Sequence, residues 1–355
     1  MKAAVWYEKH DIRIERSDDP SSPAADEVIV APALGGICGT DLHEYLSGPH
    51  FIPRDASGKG KVSVLGHEFC GTVVEVGAEV SGFKAGDRVA VHPAIYCGTC
   101  RYCQSGTIQL CPTARWIGLG ADGGGLSTRV RLKAFQLYPL PDHVTFEQGA
   151  LVEPAAVTLQ AVTRGGVQEG DVVLVTGGGP IGQLAAMNAR AAGARAVYLS
   201  EVVPFRRELA LSNAEPTAVI DPSRESIPDI LRDVTGGFGA DVAIECSGNE
   251  RALMDALAAT RRDGTVVQLA IFLRAVTLHP ADHITLQAKR LVGSLGYSGR
   301  DYERVIGLIA SGKLPVERLV TAVIELEDLI ELGIDELIRP DTQHVKILVR
   351  PTPDA

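Results

Sequence analysis

The sequence predicts an α/β plus β chain in two parts, one rich in strands and one doubly wound around a parallel sheet. Three observations carry this prediction. Short alternating apolar runs separated by Gly and Pro fill the first 153 residues, and apolar runs alternating with amphipathic segments follow. The third is size: 355 residues with 45% hydrophobic side chains suffice for two substantial cores.

In the first part, GTVVEVGAEV over 71–80 and GDRVAV over 86–91 alternate apolar and polar residues, the pattern of half-buried strands joined by tight turns. Residues 47–61, SGPHFIPRDASGKGK, are rich in Gly, Pro and polar residues without helical period and read as a surface loop. From residue 154 the apolar runs VVLV (172–175), AVYLSE (196–201), AVID (218–221), DVAIEC (241–246) and TVVQLA (265–270) read as strands. Between them IGQLAAMNARAA (181–192), FRRELAL (205–211) and RALMDALAAT (251–260) read as helices, so the stretch is a series of βαβ units. A further strand is expected at 290–295 and a helix at DYERVIGLIASG, ending in Gly312. Another helix is expected near 325–338, and HVKILVR reads as a closing strand. No internal repeat is present, which sets solenoids aside.

The formal net charge of −10 argues against a nucleic-acid or anionic-membrane surface, since both want clustered Lys and Arg. A small neutral substrate fits better. The opening MKAAVWYEKHDIRIE has only a brief apolar patch, so neither a signal peptide nor a membrane span is expected, and a cytoplasmic location follows as the default. In that setting clustered cysteines read as metal ligands before disulfides.

Four of the seven cysteines crowd together: Cys97, Cys100, Cys103 and Cys111 form a C-x2-C-x2-C-x7-C run. Four thiolates in a short loop can enclose one tetrahedral zinc with no position left open for chemistry, which makes this a structural site. An iron–sulfur cluster, for which Cys111-Pro112 supplies the expected Pro, and two disulfides are the competing readings.

VVLVTGGGPIG places Gly177, Gly179 and Gly182 in a G-x-G-x-x-G frame between an apolar run and a helical pattern, with Pro180 and Ile181 inside the turn. Such glycines let the backbone approach a pyrophosphate seated on the helix N-terminus. Glu201, 19 residues after Gly182, ends the next apolar run, where an acid accepts hydrogen bonds from the adenosine ribose and repels a 2′-phosphate. NAD is therefore favoured over NADP, although Arg206 and Arg207 are placed to accommodate the extra phosphate.

Residues 36–45 read GICGTDLHEY, and Gly66-His67-Glu68 and Leu151-Val152-Glu153-Pro154 offer further ligand types. A thiolate, an imidazole and a carboxylate make a three-ligand zinc shell with a fourth position open, as catalysis needs. The separations of 29 and 86 residues do not by themselves compel this.

Taken in order, GICGTDLH, LGHEFCGTVVEVG, GDRVAV, the four-cysteine lobe, LVEP and GGGPIG resemble the zinc-dependent medium-chain dehydrogenase/reductase family along essentially the whole chain. Within it, HEYLSGPHFIP, GLGADGGG, LVEPAAV and HVKILV are most similar to the (R,R)-2,3-butanediol dehydrogenase branch. The resemblance implies a GroES-like catalytic domain from residues 1–153 and 295–355, with a zinc lobe at about 92–112, and an inserted Rossmann domain from 154–294. It implies two zinc ions per chain and NAD. Cys38 and His67 would bind the catalytic zinc, with Glu68 or Glu153 as third ligand. Thr40 would pass the substrate proton to His43, and Asp41 would orient a ligand. The implied reaction moves hydride between NAD(H) and a vicinal diol or hydroxyketone such as 2,3-butanediol and acetoin, or reduces diacetyl. A sorbitol, polyol or threonine dehydrogenase is the nearest rival and a non-catalytic binding relative a more distant one. A homodimer or homotetramer is expected.

Overall fold

The computed structural model describes residues 1–16 and 18–351. The chain divides into two compact units, one formed by Met1–Glu153, Ser298–Gly312 and Val316–Ala355, the other by Pro154–Tyr297 and Lys313–Pro315.

The first unit is built on strands, as its alternating apolar pattern requires. Strand Glu27–Gly36 lies at the centre of a seven-stranded sheet, antiparallel to Glu68–Val76 on one side and to Lys346–Arg350 on the other. Arg88–Val91 and Leu137–Pro139 extend the sheet beyond Glu68–Val76, Val320–Glu325 extends it beyond Lys346–Arg350, and Val130–Lys133 pairs with the start of the central strand. A smaller sheet joins Lys2–Glu8 to Asp11–Arg16 and Ser63–Val64. Val28, Val30, Phe69, Val73, Val89 and Val91 form one core, while Trp6, Ile37, Leu65, Leu326 and Ile347 belong to another.

The helix expected near 325–338 is broken into three pieces. A 3₁₀ turn spans Leu326–Asp328, a π-turn Leu329–Ile334 and a short α-turn Asp335–Ile338. Leu329 and Ile334, five residues apart, are both buried in the same core. An α-helix would turn them about 140° apart, and the wider π spacing brings them to one side. Gly333 is needed there, because a Cβ would lie 2.7 Å from Ile37 Cδ1.

The second unit holds a six-stranded, wholly parallel sheet in the order Ala218–Ile220, Ala196–Ser200, Val172–Thr176, Ala240–Glu245, Thr260–Gln268, Arg290–Gly293. This 3-2-1-4-5-6 order is the doubly wound arrangement, whose switch point falls between Val172–Thr176 and Ala240–Glu245. Helices Pro180–Ala191, Pro204–Asn213, Ile227–Val234 and Glu250–Ala259 alternate with the strands. No helix among the described residues is long and apolar enough to cross a membrane.

Candidate active site

The register of the central sheet assembles one cluster. Gly36 pairs with Glu68, and Leu348 pairs with Gly36 from the other side. Cys38, two residues beyond Gly36, is therefore brought beside His67 and Glu68, and the Sγ, imidazole and carboxylate ligand atoms all lie within 4.8 Å of one another. Cys38 is also the N-cap of helix Gly39–Ser47: its sulfur accepts from Thr40 N at 3.4 Å, and Asp41 returns the bond by accepting from Cys38 N at 2.9 Å. This reciprocal cap fixes the thiol at the helix start.

Asp41 has a second task. Its Oδ1 lies 3.8 Å from His67 Nδ1, and both atoms are buried without a hydrogen-bond partner. A carboxylate facing the outer nitrogen of a metal-ligating histidine is the arrangement that orients such a ring. Glu68 pairs with Lys346, whose ammonium also donates to Ile37 O at 2.9 Å. Lys346 is 1% exposed. Gly36 makes room for the pair: a Cβ there would overlap the Glu68 carboxylate and approach Lys346 Cε to 2.9 Å.

The electrostatics of the cluster follow from its burial and its crowded charges. Burial pushes the Cys38 thiol up, and the Glu68 charge adds to it. Burial likewise raises Asp41. Burial opposes charge on His67, yet the Cys38 and Asp41 charges overcome it and hold the imidazole well above its usual range. The same balance raises Lys346, where Glu68 and Cys38 outweigh burial. A buried set of one thiol, one imidazole and several carboxylates that draws cations in this way suits a divalent metal.

Glu153 sits in the first turn of helix Val152–Gly165 and is buried, and its charge acts on both His67 and Lys346. It is not among the three groups whose ligand atoms lie within 4.8 Å of one another. Thr40 and His43 are half-buried on the helix that Cys38 caps. They stand three residues apart and so share a face. Burial lowers His43, and nearby His50 lowers it further.

The four-cysteine lobe closes on itself. Cys100 and Cys103 sulfurs are 3.5 Å apart, Cys111 and Cys97 3.6 Å, and Cys97 and Cys103 3.9 Å. These separations are too long for disulfides, and all seven cysteines are free. A tetrahedron with metal–sulfur distances of about 2.3 Å places its sulfurs about 3.8 Å apart, which the lobe matches, whereas a multi-iron cluster would spread them further.

In the second unit Gly177 follows strand Val172–Thr176 with φ of 98°, a left-handed conformation that favours glycine. A Cβ on Gly182 would overlap the Gly177 carbonyl oxygen. Gly179 is the N-cap of helix Pro180–Ala191, has no side-chain cap, and opens onto space with nothing within 4 Å of an added Cβ. Pro180 takes the first helical position and Ile181 the next, so the helix presents uncapped amides, the setting for a pyrophosphate. Glu201 is buried, accepting from Gly178 N at 2.7 Å and Val203 N at 2.8 Å. Arg207 is held by the carbonyls of Glu201 and Val202 and by Asp221. Arg206 is half-buried on the same helix, Pro204–Asn213.

Sequence reasoning missed Lys346. A single lysine inside the apolar run HVKILVR was the signal, but its partner is 278 residues away. Glu44, 0% exposed, was missed as well.

Comparison with known proteins bears on these sites. Residues 24–142 match the alcohol dehydrogenase GroES-like domain and residues 180–311 the zinc-binding dehydrogenase domain. The chain is 39% identical to an (R,R)-butanediol dehydrogenase of Bacillus subtilis, covering 99% of this chain and 100% of that protein. The crystal structure of 2R,3R-butanediol dehydrogenase from B. subtilis superposes with a TM-score of 0.90 at 38% identity, covering 99% of each chain. A zinc-binding dehydrogenase from Sinorhizobium meliloti solved with NADP gives 0.86 at 31% identity, again over 99% of each.

Proposed function

The chain belongs to the zinc-dependent alcohol dehydrogenases of the medium-chain family, and from that premise we propose that it interconverts 2,3-butanediol and acetoin with NAD(H), with diacetyl reduction as a related activity. The observation that carries the reading is the cluster of half-buried Cys38 with buried His67 and Glu68 at the head of the helix bearing Thr40 and His43. The likeness to butanediol dehydrogenases over the full length supports the substrate.

When bound, a catalytic zinc would acidify an alcohol hydroxyl and polarise a ketone, and NAD would accept the hydride. Cys38 and His67 hold the metal, with Glu68 or Glu153 completing the shell. Asp41 keeps the His67 ring in place. Thr40 accepts the hydroxyl proton of the substrate and passes it to His43 as the hydride leaves carbon. The second zinc belongs to Cys97, Cys100, Cys103 and Cys111 and stiffens their lobe.

For the cofactor, the Gly177–Gly182 turn and the backbone amide of Ile181 receive the pyrophosphate, while Glu201 receives the adenosine ribose and disfavours a 2′-phosphate. Arg207 is already engaged by Asp221, which leaves Arg206 as the residue that would tolerate NADP. A homodimer or homotetramer is part of the proposal. It is supported by edge strand Arg290–Gly293 and by exposed Leu286 and Leu295 on either side of it in sequence.

Initial rates with NAD+ and NADP+ on (R,R)-, (S,S)- and meso-2,3-butanediol, with sorbitol and threonine alongside, before and after chelation, test the reading. Chelator-sensitive NAD+ reduction confined to butanediol isomers is the expected result. Turnover of sorbitol or threonine alone would overturn the substrate and keep the chemistry. No turnover by zinc-loaded protein would overturn both.

A further inference from the structure

Helix Gly39–Ser47 carries three proton-bearing side chains, Thr40, His43 and Ser47, at positions i, i+3 and i+7. That spacing sets them along one face, from the catalytic cluster to the helix end. Past that end, Ser47 Oγ lies 2.7 Å from His50 Nε2. His50 is exposed, so the row of groups ends in solvent.

The placement of His50 is built. Glu44, on the same helix and fully buried, accepts the backbone N–H of His50 at 3.0 Å on each carboxylate oxygen. Its Oε1 also accepts from Phe51 N at 2.5 Å and Ile52 N at 3.2 Å. A buried carboxylate is costly unless several donors face it, and here three successive amides do. Gly48 has no side chain to collide with this carboxylate, a Cβ there being excluded by overlap, and Ile52 is 2% exposed in the core below. The segment that looked like an ordinary polar loop is therefore clamped to the helix that carries the proton path. The two imidazoles also sense each other: after burial, His50 is the main influence lowering His43, partly offset by Glu44.

We propose that His50 is the outer proton carrier of the site, taking through Ser47 the proton that Thr40 and His43 remove from the substrate hydroxyl, and that Glu44 is the positioning residue that holds it there. The inference rests on the roles given to Thr40 and His43 above. The proton balance closes: the substrate O–H breaks, Ser47 gains one proton as it yields another, neutral His50 becomes an imidazolium, and buffer takes the proton away. Ketone reduction runs the same transfers inward.

The test is His50→Gln in the zinc-loaded full-length protein. Single-turnover proton release, read with an indicator dye, should slow by about fivefold or more at low buffer concentration and recover when imidazole is added, with KM for the diol unchanged. Glu44→Gln should show the same imidazole-rescued defect. Separately, an NMR titration should find the His43 pKa higher in His50→Gln than in the parent protein, which needs no activity. Unchanged proton release, with no buffer dependence, would overturn the proposal even if Glu44→Gln failed to fold. A parent protein that oxidises no alcohol, yet shows the His43 shift, would overturn the assigned reaction and with it the transport of a substrate proton, while leaving the His43–His50 coupling in place.

Discussion

Replacing Lys346 by Met should separate the metal-free and zinc-loaded stabilities of the protein. Lys346 is 1% exposed, and its ammonium serves the Glu68 carboxylate and Ile37 O. Removing one partner of a buried ion pair leaves the other charge uncompensated, at a cost of about 3–5 kcal/mol. The orphaned Ile37 carbonyl adds about 1 kcal/mol. For a unit of about 200 residues each kcal/mol lowers Tm by about 2–4 °C, so the metal-free variant should melt about 10–20 °C below the parent protein. Zinc binding beside Glu68 restores a positive charge, and the gap should narrow when zinc is present. The double variant Lys346→Met, Glu68→Leu should recover much of the loss, because it removes both charges. Calorimetry of the three proteins, chelated and zinc-loaded, is the assay. A metal-free Lys346→Met melting within about 2 °C of the parent would refute the argument. A gap unaffected by zinc would show that Glu68 is not part of the metal cluster.

Other consequences are as direct. Asp41→Asn keeps the shape of the side chain but removes the charge facing His67 Nδ1, and zinc affinity measured by competition with a chromogenic chelator should fall about 10–100-fold; unchanged affinity would remove Asp41 from the site. Gly182→Ala forces a Cβ onto the Gly177 carbonyl oxygen, so the turn must shift, and NAD binding followed by fluorescence should weaken more than about tenfold, with a stability loss of about 1–3 kcal/mol. In the metal-stripped lobe, amide N–H groups of Thr99 and Cys100 draw the Cys97 thiol down to about 5, while burial and the Cys100 thiol push Cys103 up to about 12. Iodoacetamide at neutral pH should therefore label Cys97 before Cys103, and zinc should protect all four cysteines; peptide mapping that finds Cys103 labelled first would contradict this.

What the sequence revealed depended on whether the determining contacts were local. The three central parallel strands of the second unit, Val172–Thr176, Ala196–Ser200 and Ala240–Glu245, were legible because they are largely apolar runs buried along almost their whole length, and the glycine turn because its pattern is contained in six residues. The cysteine lobe was legible for the same reason. The π-turn at Leu329–Ile334 was not, since the apolar spacing of LEDLIELGIDELI satisfies an α-helix nearly as well and only the Ile37 and Ile324 side chains facing Gly333 decide against it. Lys346 was hidden by distance along the chain, and Glu44 by its setting, because a glutamate in a helix usually faces water.

These two buried charges show how much of the setting of Cys38, His67 and Glu68 lies outside the three residues themselves. Cys38, Asp41, Glu68 and Glu153 place a thiol and three carboxylates in and around one small region, and all but Cys38 are buried. Such a set is stable only against cations, of which the chain itself supplies Lys346 and a His67 held well above its usual pKa. Both therefore act as counter-charges to the carboxylates and would compete with any incoming metal. Glu44 solves the opposite problem eight residues from the end of the central strand, where a lone carboxylate without a cation is satisfied by three backbone amides and in return fixes the loop. The same residue type is thus used once as a ligand-side charge answered by a lysine and once as a structural anchor answered by N–H groups. The pairing partner, which only the fold supplies, decides which role each glutamate plays.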